Sequence, residues 1–229
     1  MKYIFGMNIS AATATEAATA RLREEIVAGA LPPEARLRLR DLVPRYGFGA
    51  TPLREALSRL AAEGFVVFEG QKGFSVPPVT RVHLLDITRS RQLVEAEALR
   101  LAMAEGGAAW EDEIVASLSL LKRETERHRA DDDWLDIYEA KHHRFHRALI
   151  AACPLASLRG FCDDLYMQTT RYRRLMKSVT PDWPRMAAAH EALANKVLAR
   201  EATALQGLRD HIGTTATRVL DMLGQPPPS

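Results

Sequence analysis

The chain has 229 residues, a net charge of +2, 47% hydrophobic and 26% charged residues, the proportions of an ordinary globular protein long enough for two small domains. No apolar run approaches the ~20 residues that cross a bilayer, and Met1–Phe5 is too short for a secretory leader, with Met7 an alternative start. Two cysteines, Cys153 and Cys162, read as buried thiols of a cytoplasmic protein rather than as a disulfide.

In chain order, residues 1–13 read as a tail and Ala20–Ala28 as the close of a first helix that ends at Gly29-Ala30-Leu31-Pro32-Pro33. Leu39, Leu42, Val43 and Tyr46 are spaced for one face of a second helix, which Gly47 stops by entering a left-handed turn. Thr51 is the expected cap of a third helix with Pro52 at its first position. Leu53, Leu57 and Leu60 make its core stripe, and Arg54 and Arg59 point elsewhere. Phe65–Glu69 and Phe74–Val76 flank Gly70-Gln71-Lys72-Gly73, a tight hairpin. Helix, turn, helix, hairpin is a winged helix-turn-helix, expected over residues 14–78. Six arginines between Arg36 and Arg59 stand against only Asp41 and Glu55. Alone they would read as a solvated helix face; on this motif they read as a footprint for phosphate.

The segments Leu53-Arg54-Glu55-Ala56-Leu57, Leu60-Ala61-Ala62-Glu63-Gly64 and Lys72-Gly73-Phe74-Ser75-Val76 resemble the GntR family of bacterial transcription regulators. The stretch from Ala20 to Pro33 is similar to that family's "I..G.l.PG..L" pattern, with Glu34 where a glycine is usual. The resemblance implies operator DNA as partner, bound as an inverted repeat by a homodimer. It places Arg40, Arg54 and the Gly49-Ala50-Thr51 turn at DNA-contacting positions, and the wing residues Gln71, Lys72 and Gly73 near the minor groove. Gly49-Ala50 replaces a common Ser/Thr-Arg pair, which puts more of the recognition on Arg40 and Arg54.

Pro77-Pro78 closes the wing, since proline cannot continue a central strand. From Val82 to Leu223 nearly every segment is helical in period, and residues 79–223 read as one all-α domain. The predicted helices are His83–Glu105, Trp110–Arg129, Leu135–Ala152, Pro154–Leu175 (kinked or broken), Arg185–Ala199 and Glu201–Leu223, an antiparallel bundle of six or seven helices. Residues 224–229 read as a disordered tail. The fold class is therefore mainly α, a winged helix-turn-helix followed by an all-α bundle.

His142 and His146 lie four apart on one helix, and His190 and His211 fall on two later helices, so three helices can aim imidazoles into one core. A surface pair and two satisfied structural histidines would read the same way. The surrounding residues decide. Phe145-His146-Arg147-Ala148-Leu149, Ala189-His190-Glu191-Ala192-Leu193 and Leu208-Arg209-Asp210-His211-Ile212 resemble the three metal-ligand motifs of the FCD domain of FadR-type GntR regulators, and Arg91-Gln92-Leu93-Val94-Glu95 is similar to its "R..LE" helix. The resemblance implies a divalent metal, zinc foremost with nickel or another transition metal as options, held by His142, His146, His190 and His211. It departs from the family at His142, where an aspartate is usual. The resulting neutral four-imidazole set favours an anionic effector.

Arg91, Arg171 and Arg173 are the candidate grips for a carboxylate effector, because guanidinium holds carboxylate bidentately. Glu139 and Asp136 are candidate acceptors for ligand N–H groups. His143, about 100° round the helix from His142, should face elsewhere, and His83 and His128 read as surface residues. The exchange at His142 and the Gly47-to-Pro52 turn resemble the carbon-starvation-type branch, which implies a small dicarboxylic acid as effector. A metal-dependent hydrolase or oxygenase built on the histidines is the alternative, but the chain has no HExxH helix and no Gly-x-Ser-x-Gly turn. The reading is a regulator rather than an enzyme, cytoplasmic and nucleoid-associated when bound to DNA.

Overall fold

The computed structural model describes residues 11–127, 132–174 and 182–223. The expected tails at residues 1–10 and 224–229, and His128, lie outside them. The chain divides into two compact units between Val79 and Thr80.

The first unit is α1 (Ala11–Ala28), α2 (Leu39–Tyr46), α3 (Ala50–Ala62) and a hairpin of β1 (Val67–Glu69) and β2 (Gly73–Ser75). Helix α1 begins three residues inside the stretch expected to be tail. Leu53, Ala56, Leu57 and Leu60 of α3 are buried, as are Ala18, Leu22 and Ile26 of α1, and the two helices pack together. Burying a leucine of this kind is worth about 1.5–3 kcal/mol. Gly47 ends α2 at φ 71°, and its N–H donates to the Val43 carbonyl. Strands β1 and β2 pair antiparallel, Phe68 opposite Phe74, across a turn at Gly70–Lys72.

One local expectation changes. The N-cap of α3 is Gly49, so Thr51 is already helical and Pro52 is the third helical residue rather than the first. The proline still costs no bond, because the first intrahelical bond runs from Leu53 N–H to Gly49. Pro44 lies inside α2, an interior position that costs a helix a hydrogen bond. The helix survives as eight residues because buried Leu42 ties it to the core.

The second unit comprises α4 (Arg81–Glu105), α5 (Ala108–Glu126), α6 (Asp132–Leu149), α7 (Ala156–Arg173), α8 (Trp183–Leu198) and α9 (Ala204–Leu223). Thr80 caps α4 by accepting the His83 N–H, and Asp182 caps α8 by accepting that of Arg185. Helix α7 starts two residues after Pro154 and runs without a break, where the sequence suggested a kink. Helix α4 packs on α7 and α9, and α5 packs on α6 and α8. The core includes Leu99, Trp110, Ile114, Phe145, Leu193 and Leu208, with both cysteines free within it. At Gly106 a Cβ would lie 2.1 Å from the Trp110 ring, so only glycine allows the α4–α5 turn to close over that indole.

Glu34 adopts φ 66°, the left-handed conformation for which glycine is suited, while its N–H donates to Val76 at 2.9 Å. A side chain there costs about 1–2 kcal/mol, and glycine returns about 0.5–1 kcal/mol to the unfolded chain. Glu34→Gly should therefore stabilise the first unit by about 0.5–1 kcal/mol. Slower native-state hydrogen exchange in α1 and α3 is the expected result; faster exchange would show that the Glu34 side chain outweighs the strain.

Candidate functional site

Helices α6, α8 and α9 bring His142, His146, His190 and His211 together with one nitrogen of each within 4.8 Å of the others. The i, i+4 spacing on α6 sets His142 Nε2 3.1 Å from His146 Nε2. Two nitrogens each about 2.1 Å from one ion sit about 3.0–3.4 Å apart, so this pair already has a chelating separation. His190 Nδ1 donates to the Met186 carbonyl at 2.7 Å, which leaves the lone pair of a neutral ring on Nε2. That Nε2 is buried and has no hydrogen-bond partner among the described residues; the same holds for His146 Nδ1.

Burial pushes all four imidazoles down, His190 to about 4 and the other three well below the ordinary range, with nearby Arg91 and Arg173 adding to the shift. All four are therefore neutral bases at neutral pH, which is the form that ligates metals.

Tyr166 on α7 lies under this cluster. Its oxygen is 2.9 Å from His142 Nδ1, and the guanidinium carbons of Arg91 and Arg173 lie 5.0 and 4.8 Å from its ring centre. Each arginine is held by a buried carboxylate: Arg91 by Glu95 at 2.5 and 3.2 Å, and Arg173 by Glu139 at 3.1 and 2.6 Å. Glu139 also lies 3.8 Å from His142 Nδ1, whereas Asp136 pairs with Arg174.

A cavity of about 290 Å³ opens on the cluster. His142, His190 and His211 form one side; Arg173, Lys196 and Arg218 supply cations, with Thr214, Thr215 and Asp210 beside them. Of the three arginines singled out from sequence, only Arg173 lines this cavity. Arg91 is buried beside Tyr166 on Glu95, and Arg171 stands 6.0 Å from the Tyr172 ring. Sequence reasoning missed Arg218, although it lies seven residues, two helical turns, after His211. It also missed Tyr166, whose role depends on a neighbour 24 residues away. His143 does face elsewhere, 2.5 Å from Asp163. His83 is not a free surface residue: its Nδ1 meets the Tyr172 hydroxyl at 2.7 Å.

In the first unit Arg40 is exposed beside Asp41, Gly49 caps α3, and Ala50, Thr51 and Arg54 are exposed along its first turns. Gln71 and Lys72 are exposed in the wing turn, with Lys72 2.9 Å from Glu69. Arg54, Lys72 and Gly73 line one groove, joined there by Arg38, one of the six arginines of the expected phosphate footprint. No described helix is long and apolar enough to cross a membrane.

Comparison with known proteins agrees with both units. The family described as bacterial regulatory proteins, gntR family, matches residues 14–76, and the FCD domain matches residues 86–214. The HTH-type transcriptional regulator BphR of Paraburkholderia xenovorans is 37% identical over 206 residues, 89% of this chain and 84% of that protein. The HTH-type transcriptional repressor GlaR of Escherichia coli is 35% identical over 198 residues, 84% of this chain and 90% of that protein. The solved structure of E. coli McbR/YncC superposes with a TM-score of 0.73 at 22% identity, covering 92% of this chain and 96% of that one, which speaks to fold alone.

The buried neutral imidazoles fix a pH dependence. The unfolded chain protonates its histidines near pH 6.5, while the folded cluster resists until far lower pH. The stability this confers is complete above about pH 6.5 and is lost as pH falls toward the folded values. Between pH 7 and 5 each ring that stays neutral removes about 2 kcal/mol. All three tryptophans, Trp110, Trp134 and Trp183, lie in the second unit. Urea unfolding of chelator-treated protein, followed by tryptophan fluorescence, should therefore show that loss; a flat profile from pH 7 to 5 would contradict it.

Proposed function

The chain belongs to the gntR family of bacterial regulatory proteins and carries its FCD domain, making it a DNA-binding transcription regulator; from that premise we propose that a metal-anchored carboxylate effector controls its affinity for DNA. The observation that carries the metal is His190, whose tautomer is fixed by Met186 and whose free Nε2 is buried within 4.8 Å of three other imidazole nitrogens. Four imidazoles and no carboxylate suit zinc, nickel or a similar transition ion rather than magnesium or calcium. Such an ion, bound by His142, His146, His190 and His211, supplies a Lewis-acid position for one oxygen of an anionic ligand.

The remaining steps belong to side chains of this chain. Arg173 is pre-positioned by its two bonds to Glu139 and a third to the Thr170 hydroxyl at 2.7 Å. Together with Arg218 and Lys196 it meets the far end of an anion lying in the 290 Å³ cavity, a volume suited to a small dicarboxylic acid. Arg91 takes a different part from the direct grip expected of it. It rests on Tyr166, which touches His142, and it belongs to α4, the helix that follows Pro77-Pro78. Ligand contact at His142 is thereby relayed through Tyr166 to α4, and a ligand that prefers one setting of α4 alters DNA affinity.

The protein acts in the cytoplasm as a homodimer whose two heads read an inverted repeat, since a single winged helix buries too little surface for regulatory affinity. Arg40, Arg54, the Gly49–Thr51 turn and the wing carry the contact. The hydrolase alternative has no supporting observation: Glu191, next to His190, is tied to Lys122 at 2.8 Å.

Two measurements test this reading. Arg54→Ala should weaken binding to a selected operator by about 1–3 kcal/mol, the scale of one bidentate base contact, in a gel shift at fixed salt. Unchanged affinity would remove Arg54 from the interface. Replacing His146 and His190 together by alanine should abolish both metal content and the effector's influence on DNA binding while leaving the head folded. A variant devoid of metal that answers the effector normally would show that the metal takes no part.

A further inference from the structure

The groove between α2, α3 and the wing holds a feature that helix energetics opposes. Arg38 occupies the N-cap of α2, in extended conformation at φ −87° and ψ 129°, and makes no side-chain cap. Arginine has only donors, so it cannot accept a first-turn N–H, and its charge sits at the positive end of the helix. Thr80 on α4 and Asp182 on α8 do make side-chain caps, whereas α3, α5 and α7 start on Gly49, Gly107 and Leu155 without one; Arg38 alone of these puts a cation there. No carboxylate compensates Arg38 among the described residues, for Asp41 is beside Arg40.

What Arg38 does is line a groove of about 730 Å³ with Arg54 of α3 and Lys72 of the wing. Among the described residues, three cations and no carboxylate line that groove, and Lys72 pairs with Glu69 at 2.9 Å. Phe68 and Phe74, ring centres 4.9 Å apart, give the groove an apolar wall, and Phe68 is 59% exposed. Cations lining one groove beside an exposed aromatic surface match the two faces of a nucleic-acid backbone, phosphate and deoxyribose.

We propose that Arg38, with Lys72, clamps one backbone phosphate of DNA in this groove, at the expense of the α2 cap, while Arg54 beside them reads a base. The clamp rests on the head being a DNA-binding unit and assigns Arg38 a sequence-independent share of affinity within it.

The test uses the full-length protein and fluorescence anisotropy across a salt series. Two duplexes are compared, one of random sequence and one that the protein selects from a random pool. Arg38→Ser should weaken both by the same several-fold factor and lower the salt slope by about one per bound head. It should also slow hydrogen exchange in the first turn of α2, because serine restores the cap. Arg38→Lys should keep the slope. An unchanged slope in Arg38→Ser, a loss confined to the selected duplex, or faster exchange in α2 would each overturn the clamp. Wild-type protein that bound neither duplex would instead overturn the reading of the head. Arg54→Ala, run on the same pair, should weaken the selected duplex more than the random one; an equal loss on both would move Arg54 from base reading into the clamp.

Discussion

Four imidazoles can share one buried point only while all four are uncharged, and the bundle around them is arranged to meet that condition. A protonated ring would be an unpaired cation in a site where burial and two guanidinium groups both oppose it. The guanidinium groups are themselves tolerable because Glu95 and Glu139 neutralise them in bidentate pairs. Tyr166 touches both guanidinium groups and the His142 ring, and the Glu139 carboxylate stands 3.8 Å from His142 Nδ1. Charge is thus retained next to the cluster but kept off it, leaving the nitrogen lone pairs available and an electropositive wall at the cavity.

The histidine cluster was legible in the sequence because it is made of local spacings, a pair four apart on α6 and single histidines within recognisable helical motifs on α8 and α9. The winged head was legible for the same reason, through the leucine stripe of α3 and the stop at Gly47. What could not be read were contacts between distant segments. Tyr166 meets His142 from another helix, Glu139 reaches Arg173 across 34 residues, and His83 finds Tyr172 across 89. Arg91 is intermediate: Glu95 lies one helical turn later, so the pair was visible, but its burial was not. The misplaced cap on α3 has a different origin. Threonine and glycine rank about equally as caps, so residue type could not choose between them, and here glycine supplies the extended backbone that ends the turn.

The head concentrates its departures from local rules in one short stretch. Glu34 is left-handed, Arg38 is an uncapped N-terminus and Pro44 interrupts α2, all within eleven residues. Each is unfavourable by itself, and the segment persists through burial of Leu37 and Leu42 and through the bonds from Glu34 to Val76 and from Leu37 to Phe74. Sequences that break several local rules together commonly do so where a surface has work beyond folding. The stretch includes Arg38 and Arg40 and adjoins the turn into α3.

The two thiols carry a consequence for the kind of signal the bundle can receive. Cys153 and Cys162 are buried, and desolvation pushes the Cys162 thiol up to about 12. Oxidants attack exposed thiolate, and both sulfurs are buried away from them, with Cys162 further protected by its raised pKa. The histidine cluster likewise offers nitrogen donors and no sulfur. Thiol oxidation therefore has no ready entry into this bundle, and a metabolite response of the kind proposed would persist when the cell's redox balance shifts.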